Sequence, residues 1–253
     1  MKHPSSIEIR DPADRFDLSY VFANDHPALG KKPSALEEMA EVAREIVPGV
    51  HCRGALVHPG EINELAGFVR GSSVMAEVVV DFPDGVGGVV TKREQSRVAR
   101  EAGAAGGDVV LNLHLVRARN KAALLEELRA AKEYLHEMKV IAQIHYLWQY
   151  ERDSIPWLLD IVNEAGAYCI KDWTTRVDNF LLPEGDILDY KDATRFAYLE
   201  FIAKYIAAHS LPLVLKVAGK VTADNVKSFI NTGALLIGTS YRKAPVLREA
   251  LLK

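Results

Sequence analysis

The sequence has little of what marks several large classes of protein. It contains 2 cysteines, Cys52 and Cys169, in 253 residues, too few for a disulfide framework, which favours a cytoplasmic protein. It has no basic excess, because 31 Lys+Arg are set against 34 Asp+Glu. We therefore expect neither nucleic acid nor a membrane as a partner. No apolar run approaches the roughly 18 residues of a membrane span, and the first residues do not form a signal peptide.

Motifs for bound nucleotides and metals are also missing. No G-x-G-x-x-G or Walker A pattern occurs, which argues against an open, doubly wound sheet with a phosphate-binding first turn. His58, His114 and His145 lie near the ends of expected strands, but they do not show H-E-x-x-H or H-x-H spacing. We expect no metal and no cofactor.

What the sequence does have is an alternation of short apolar runs and amphipathic helical stretches. Ser34 with Glu37, and Thr91 with Glu94, fit the capping box that begins a helix. The runs expected to form strands are 20–24, 52–57, 75–81, 108–113, 139–145, 168–171, 212–217 and 234–237. Eight such alternations predict a single-domain (β/α)₈ TIM barrel over residues 1–253, with a barrel core at about 19–245.

Two lysines lie at the ends of neighbouring strands in this prediction. Lys171 follows the apolar residues YCI and ends the sixth strand, and Lys216 follows PLVL in the seventh. Burial lowers the pKa of a lysine, and a second ammonium group nearby lowers it further. A neutral lysine can attack an aldehyde or ketone and form a Schiff base. Asp108, at the start of the fourth strand, is a candidate counter-charge and proton relay; the alternatives are an ordinary aspartate at a strand start and a salt-bridge residue at the bottom of the barrel.

Other candidate residues follow the first, seventh and eighth strands. In TIM barrels the last two βα loops often bind phosphate through backbone N–H groups. The residues in these loops that could bind an anion are Gly219, Lys220, Gly238, Thr239 and Ser240. Asp25, in FANDHP, follows the first expected strand, and its spacing alone indicates a turn residue. The long loop at 172–189 is either a lid over the site or an inert insertion.

Three segments resemble the deoxyribose-phosphate aldolase family, a group of class I (Schiff-base) aldolases. They are VVVDFPDGVGGVVTKREQSRVAREAGAAGGDVVLNL, EAGAYCIKDWTT and PLVLKVAGKVTADNVKSFINTGALLIGTS. The resemblance covers about 20–245. It implies that Lys171 is the Schiff-base lysine, Lys216 the second active-site lysine and Asp108 the catalytic aspartate. Asp25-His26 matches the family's Asp-His-Thr, which makes Asp25 a candidate site residue, and Thr174 joins the expected substrate-binding residues.

The resemblance implies a metal-independent lyase that reversibly cleaves 2-deoxyribose 5-phosphate to acetaldehyde and glyceraldehyde 3-phosphate. The expected partners are a small aldehyde and a phosphorylated sugar, and a homodimer is the assembly that the resemblance suggests. The sequence departs from the family pattern at Asp81, Gln143, Asp172-Trp173 and Lys220. Three alternatives therefore stay open: a related Schiff-base aldolase with another donor or acceptor, a non-catalytic barrel that binds a phosphorylated ligand, and an isomerase with a carboxylate base.

Overall fold

The structure, a computed structural model, describes residues 8–21, 35–176 and 180–253. Eight parallel strands in these ranges close into a barrel, and each pairs with its neighbours in chain order. The strands are β1 (Phe16–Ser19), β2 (Gly54–Val57), β3 (Met75–Val80), β4 (Gly106–Val110), β5 (Glu137–Ile141), β6 (Cys169–Lys171), β7 (Val214–Ala218) and β8 (Leu236–Thr239). The predicted single-domain (β/α)₈ barrel is thus confirmed.

Helices connect the strands and cover the outside of the barrel. They are α1 (Ala35–Arg44), α2 (Ile62–Phe68), α3 (Gly88–Glu101), α4 (Leu113–Arg117), α5 (Lys121–Lys132), α6 (Ile144–Tyr150), α7 (Ser154–Glu164), α8 (Asp192–Ala208), α9 (Val226–Asn231) and α10 (Ala244–Leu252). The main apolar core lies between the outward faces of the strands and these helices. In the described ranges, no helix is long and apolar enough to cross a membrane.

The first strand lies earlier than the sequence pattern predicts. The prediction placed it at 20–24, but β1 is Phe16–Ser19, and Tyr20 and Val21 follow it without strand pairing. In β1 the apolar residues alternate with polar ones, and alternate residues of a strand face opposite sides of the sheet. The segment did not look like a buried strand because Asp17 faces a barrel interior that is itself charged.

Two candidate residues sit deeper in their strands than predicted. Asp108 is the third residue of β4 rather than its first, and Lys216 is the middle residue of β7. Both side chains are fully buried. Asp108 therefore lies within the barrel, where it forms ion pairs with both candidate lysines.

The barrel interior holds several charged side chains. Beside them lies a small apolar cluster of Cys169, Val214 and Leu236. Below the two candidate lysines, Lys139 lies 3.0 Å from Asp17 and also pairs with Glu77. All these charged groups are fully buried, so each needs a partner inside the barrel to offset its lost hydration.

Carboxylates around Lys139 set its protonation state. Burial acts to lower the pKa of Lys139, but Asp17, Glu77 and Asp108 outweigh it and raise the pKa above that of a free lysine. Gly54 leaves room for this packing, since a Cβ there would lie 3.2 Å from oxygen atoms of both Asp17 and Glu77. Lys139 is therefore a permanent counter-charge at the centre of the barrel.

We predict that Lys139→Met lowers the free energy of unfolding by about 3–5 kcal/mol, because it leaves buried carboxylates without their counter-charge. Urea denaturation at neutral pH measures this change. Lys204→Met is the matched control, since the Lys204 side chain is 80% exposed and its ion pair with Glu200 spans 3.7 Å; it should leave the free energy of unfolding nearly unchanged. Equal effects of the two substitutions would contradict the role given to Lys139.

Candidate active site at the carboxyl end of the barrel

The two candidate lysines are brought together by strand register. Lys171 on β6 pairs directly with Lys216 on β7, so both side chains point to the same side of the sheet. Both amines bind one carboxylate: Lys171 Nζ lies 2.7 Å from Asp108 Oδ2, and Lys216 Nζ lies 3.1 Å from the same oxygen. Three of the residues selected from the sequence thus form one hydrogen-bonded cluster.

The two lysines differ in protonation tendency. Burial lowers the pKa of Lys171, and the positive charge of Lys216 adds to that effect, whereas Asp108 opposes it without outweighing it. For Lys216, burial also acts to lower the pKa, but Asp108 and Asp17 outweigh it and raise the pKa. Lys171 is therefore the better nucleophile of the pair, and Lys216 is the cation beside it.

Asp17 belongs to the same cluster, although the sequence pattern did not single it out. Its Oδ2 atom accepts a hydrogen bond of 2.7 Å from Lys216 Nζ, and its Oδ1 atom lies 2.8 Å from Arg53 Nη1. The charges of Lys139, Lys216 and Arg53 hold the pKa of Asp17 well below its usual range, against the effect of burial. Asp17 keeps Lys216 charged and fixes its position opposite Asp108. Strand assignment was the missing signal, because Asp17 is visible as an inward residue only once β1 is placed correctly.

A cavity of about 300 Å³ opens above this cluster at the carboxyl ends of the strands. Lys171, only 6% exposed, contributes to its lining, as does Lys216. Ionisable side chains along the wall are mostly basic: Lys171, Arg176, Lys216, Lys220 and Lys243 are opposed by Asp17. Arg176 and Lys243 were not predicted as site residues. A cavity with this charge favours an anionic ligand.

The residues predicted to bind an anion line the same cavity. They are Thr174, Gly219, Lys220, Gly238, Thr239 and Ser240. Gly219 has φ +65° and Lys220 φ +52°, a left-handed conformation that favours glycine. At Gly219 a Cβ would lie 2.1 Å from Thr175 Cγ2, so only glycine fits there. For the amide N–H groups of Gly219, Lys220 and Ser240, the described residues provide no acceptor.

Two departures from the family pattern have partners close by. Asp81 lies 2.6 Å from the buried Lys92 Nζ and accepts a hydrogen bond from the Gly87 amide. Gln143 Nε2 donates to Thr174 Oγ1 over 3.0 Å, and Gln143 Oε1 accepts from the Thr174 amide over 3.2 Å. Gln143 therefore fixes the segment that follows Lys171, while Asp81 is neutralised by a lysine outside the cavity lining.

The other two departures lie next to each other. Asp172, directly after Lys171, is fully buried and forms an ion pair of 2.8 Å with Arg195 on α8. Lys220 Nζ lies 3.6 Å from the centre of the Tyr190 ring, a cation–π contact. Trp173 packs against Tyr190 and is buried behind the loop after β7. Each charged departure thus has a counter-charge or an aromatic face, and no free charge is added to the site by Asp172.

Two predictions concern loops at the carboxyl end of the barrel, here called its mouth. Asp25 lies outside the described residues, so its role in the site stays a prediction. In the 172–189 loop, the described residues include Trp173 and Phe180, whose rings pack on His145 at 4.9 Å and 5.3 Å. His145 is 1% exposed, its ring nitrogens have no hydrogen-bond partner within the part of the chain that the structure describes, and burial lowers its pKa to about 3. It is a neutral core residue whose surroundings are aromatic.

Comparisons with known proteins agree with this geometry. The chain matches no family model. A deoxyribose-phosphate aldolase of Clostridium botulinum is 33% identical over 174 residues, 67% of this chain and 70% of that protein. The Treponema denticola deoxyribose-phosphate aldolase is 27% identical over 222 residues, 85% and 93% of the two chains. The solved deoxyribose phosphate aldolase of Aeropyrum pernix shares the fold, with a TM-score of 0.69 and 23% identity over 95% of this chain and 91% of that one. The chain belongs to the deoxyribose-phosphate aldolase family, whose members are lyases.

Proposed function

We propose that this protein is a class I aldolase that forms a Schiff base through Lys171. The observation that carries the proposal is the shared carboxylate: Lys171 and Lys216 both bind Asp108, on paired positions of β6 and β7. A simple binding protein does not need two lysines that face each other from neighbouring apolar strands. Carbonyl chemistry, in contrast, needs one neutral amine and a charged group beside it.

Lys171 is the nucleophile of the proposed reaction. Its neutral amine adds to the carbonyl carbon of the open-chain sugar and gives a carbinolamine. Loss of water from the carbinolamine then gives an iminium ion, with the positive charge on the former Nζ atom. The lowered pKa of Lys171 favours the neutral amine, and its contact with the cavity gives the substrate access.

The iminium ion acts as the electron sink for bond cleavage. A base removes the proton of the hydroxyl group on the next carbon but one, the carbon–carbon bond breaks, and its electron pair forms an enamine. The aldehyde fragment leaves, the enamine carbon takes up a proton, and water hydrolyses the new iminium ion to release acetaldehyde and free Lys171. Asp108 and Lys216, which are hydrogen-bonded to each other, relay these protons together with a water molecule.

The other end of the substrate is proposed to carry a phosphate. Gly219, Lys220, Gly238, Thr239 and Ser240 line the cavity on the side of β7 and β8 and offer amide N–H groups and positive charge. The cavity's excess of basic residues supports an anionic substrate. The names of the relatives, deoxyribose-phosphate aldolases, support 2-deoxyribose 5-phosphate as that substrate, with acetaldehyde and glyceraldehyde 3-phosphate as products.

We predict that Lys171→Met lowers cleavage of 2-deoxyribose 5-phosphate by roughly a thousandfold or more, because the variant lacks the amine that forms the intermediate. Acetaldehyde release is followed by coupling to alcohol dehydrogenase and NADH oxidation, with circular dichroism as the check on folding. Lys204→Met, with an exposed side chain on α8, is the control and should retain full activity. A folded Lys171→Met variant with normal turnover would exclude the proposed mechanism.

We also predict that Lys216→Met raises the pKa of Lys171. The substitution removes a positive charge beside Lys171, and Asp108 no longer shares its carboxylate between Lys171 and Lys216. Both changes favour the protonated form of Lys171. The acid limb of kcat/KM against pH, which reports the free enzyme, should move to higher pH by about one unit or more, with a lower rate throughout. An acid limb at its original pH would show that Lys216 does not control Lys171.

A further inference from the structure

A buried arginine lies behind the loop that follows β7. Arg195, on α8, is fully buried and does not line the cavity. Its Nη2 atom donates to the Ala218 carbonyl over 2.9 Å, and its Nη1 atom donates to the Gly219 carbonyl over 2.9 Å. One guanidinium group thus holds two successive peptide groups of the loop by their oxygen atoms.

The Trp173 indole N–H also donates to the Ala218 carbonyl, whereas the Gly219 carbonyl accepts from Arg195. These bonds determine where the matching N–H groups point. A trans peptide unit is planar, with its C=O and N–H directed to opposite sides. The unit that carries the Ala218 carbonyl carries the Gly219 N–H, and the unit that carries the Gly219 carbonyl carries the Lys220 N–H. Since both carbonyls face Arg195, both N–H groups face away from it, and Ala218, Gly219 and Lys220 all line the cavity.

The guanidinium group is itself held in place. Asp172 Oδ2 accepts from Arg195 Nη2 over 2.8 Å and from the Tyr198 hydroxyl over 3.1 Å, and Asp172 Oδ1 accepts from the Ala218 amide over 2.9 Å. The planar guanidinium fork can bond a carboxylate and two carbonyls at once, which the single ammonium group of a lysine cannot do with the same geometry. Asp172 also follows Lys171 directly, so the same cluster joins the nucleophile's strand to the loop.

We propose that Arg195 is a positioning residue that presents the Gly219 and Lys220 amide groups to the anionic end of the substrate. The inference rests on the proposed function for the identity of that substrate. Arg195 acts without touching the ligand: it holds the carbonyl side of the loop so that two N–H groups stay directed at the cavity. Asp172 neutralises the buried charge and orients it, so the Asp172–Arg195 pair sets the site's preference for phosphorylated over neutral substrates.

The test compares binding of an anion with turnover of a neutral sugar. In Arg195→Gln, isothermal titration with inorganic phosphate should show affinity lower by about tenfold or more, since two charge-assisted hydrogen bonds lose their geometry. KM for 2-deoxyribose 5-phosphate should rise with it. For 2-deoxyribose, the same sugar without phosphate, kcat/KM should fall much less than for the phosphorylated sugar, because the neutral sugar does not use the anion-binding amide groups.

Two further variants separate positioning from a general effect on folding. Tyr198→Phe removes a hydroxyl that bonds Asp172 and Arg195 but leaves the two carbonyl bonds, so phosphate affinity should stay within about twofold. Arg195→Lys keeps the charge but loses the fork, and it should bind phosphate with intermediate affinity; it carries the test if Arg195→Gln does not fold.

Several results would overturn the proposal. They are native phosphate affinity in both Arg195 variants, an equal loss of activity on the phosphorylated and neutral sugars, a loss in Tyr198→Phe as large as in Arg195→Gln, or no phosphate binding by the native protein. A failure of the proposed function would give another result. The native protein would then cleave neither sugar, while titration with phosphate would still measure the effect of Arg195 on anion binding by the loop.

Discussion

The site depends on one buried carboxylate shared by two amines. Asp108 binds Lys171 and Lys216 at once, and because all three groups are nearly or fully buried, the charges cannot be screened by water. Asp17 supplies a second negative charge, which lies against Lys216 and Lys139 and not against Lys171. The carboxylates therefore keep Lys216 and Lys139 protonated, while burial and the Lys216 charge favour the neutral form of Lys171. A lysine that differs from its neighbours in this way is the group that carbonyl chemistry requires.

The differences from the family pattern form a second, connected system around the mouth. Asp172 pairs with Arg195, Gln143 bonds Thr174, and Lys220 lies over Tyr190. Asp81, Gln143, Thr175 and Lys220 also have left-handed backbone conformations although they are not glycine, and each lies in the loop that follows the carboxyl end of a strand. Such conformations persist only where surrounding contacts impose them, and they concentrate at functional sites. Side-chain contacts therefore fix the loops at the carboxyl ends of the strands. In this chain, residues that depart from the family pattern make these contacts.

The fold and the centre of the site could be predicted from the sequence, but the supporting residues could not. Lys171 and Lys216 are conspicuous in the sequence because burying a charged lysine in an apolar strand costs free energy. Such a lysine therefore indicates a buried ion pair or a functional role. Asp17 was missed because β1 alternates polar and apolar residues, and the pattern favoured the more apolar residues after it. Arg195 could not be found, because its partner Asp172 lies 23 residues away and a helix-borne arginine looks like a solvated one until its burial is known. Asp108 was selected, but its depth in β4 depends on strand register, which the apolar pattern leaves uncertain by a few residues.

The central claim is that Lys171 forms a covalent imine with a small carbonyl donor. Incubation with acetaldehyde, reduction with borohydride and peptide mass spectrometry test it most directly, because reduction converts a transient iminium ion into a stable ethyl group on the lysine. We predict an ethyl adduct concentrated on Lys171, formed at neutral pH, where the exposed lysines of the chain are mostly protonated. Absence of an adduct on Lys171, or labelling of Lys171 no greater than that of exposed lysines such as Lys204, would contradict it.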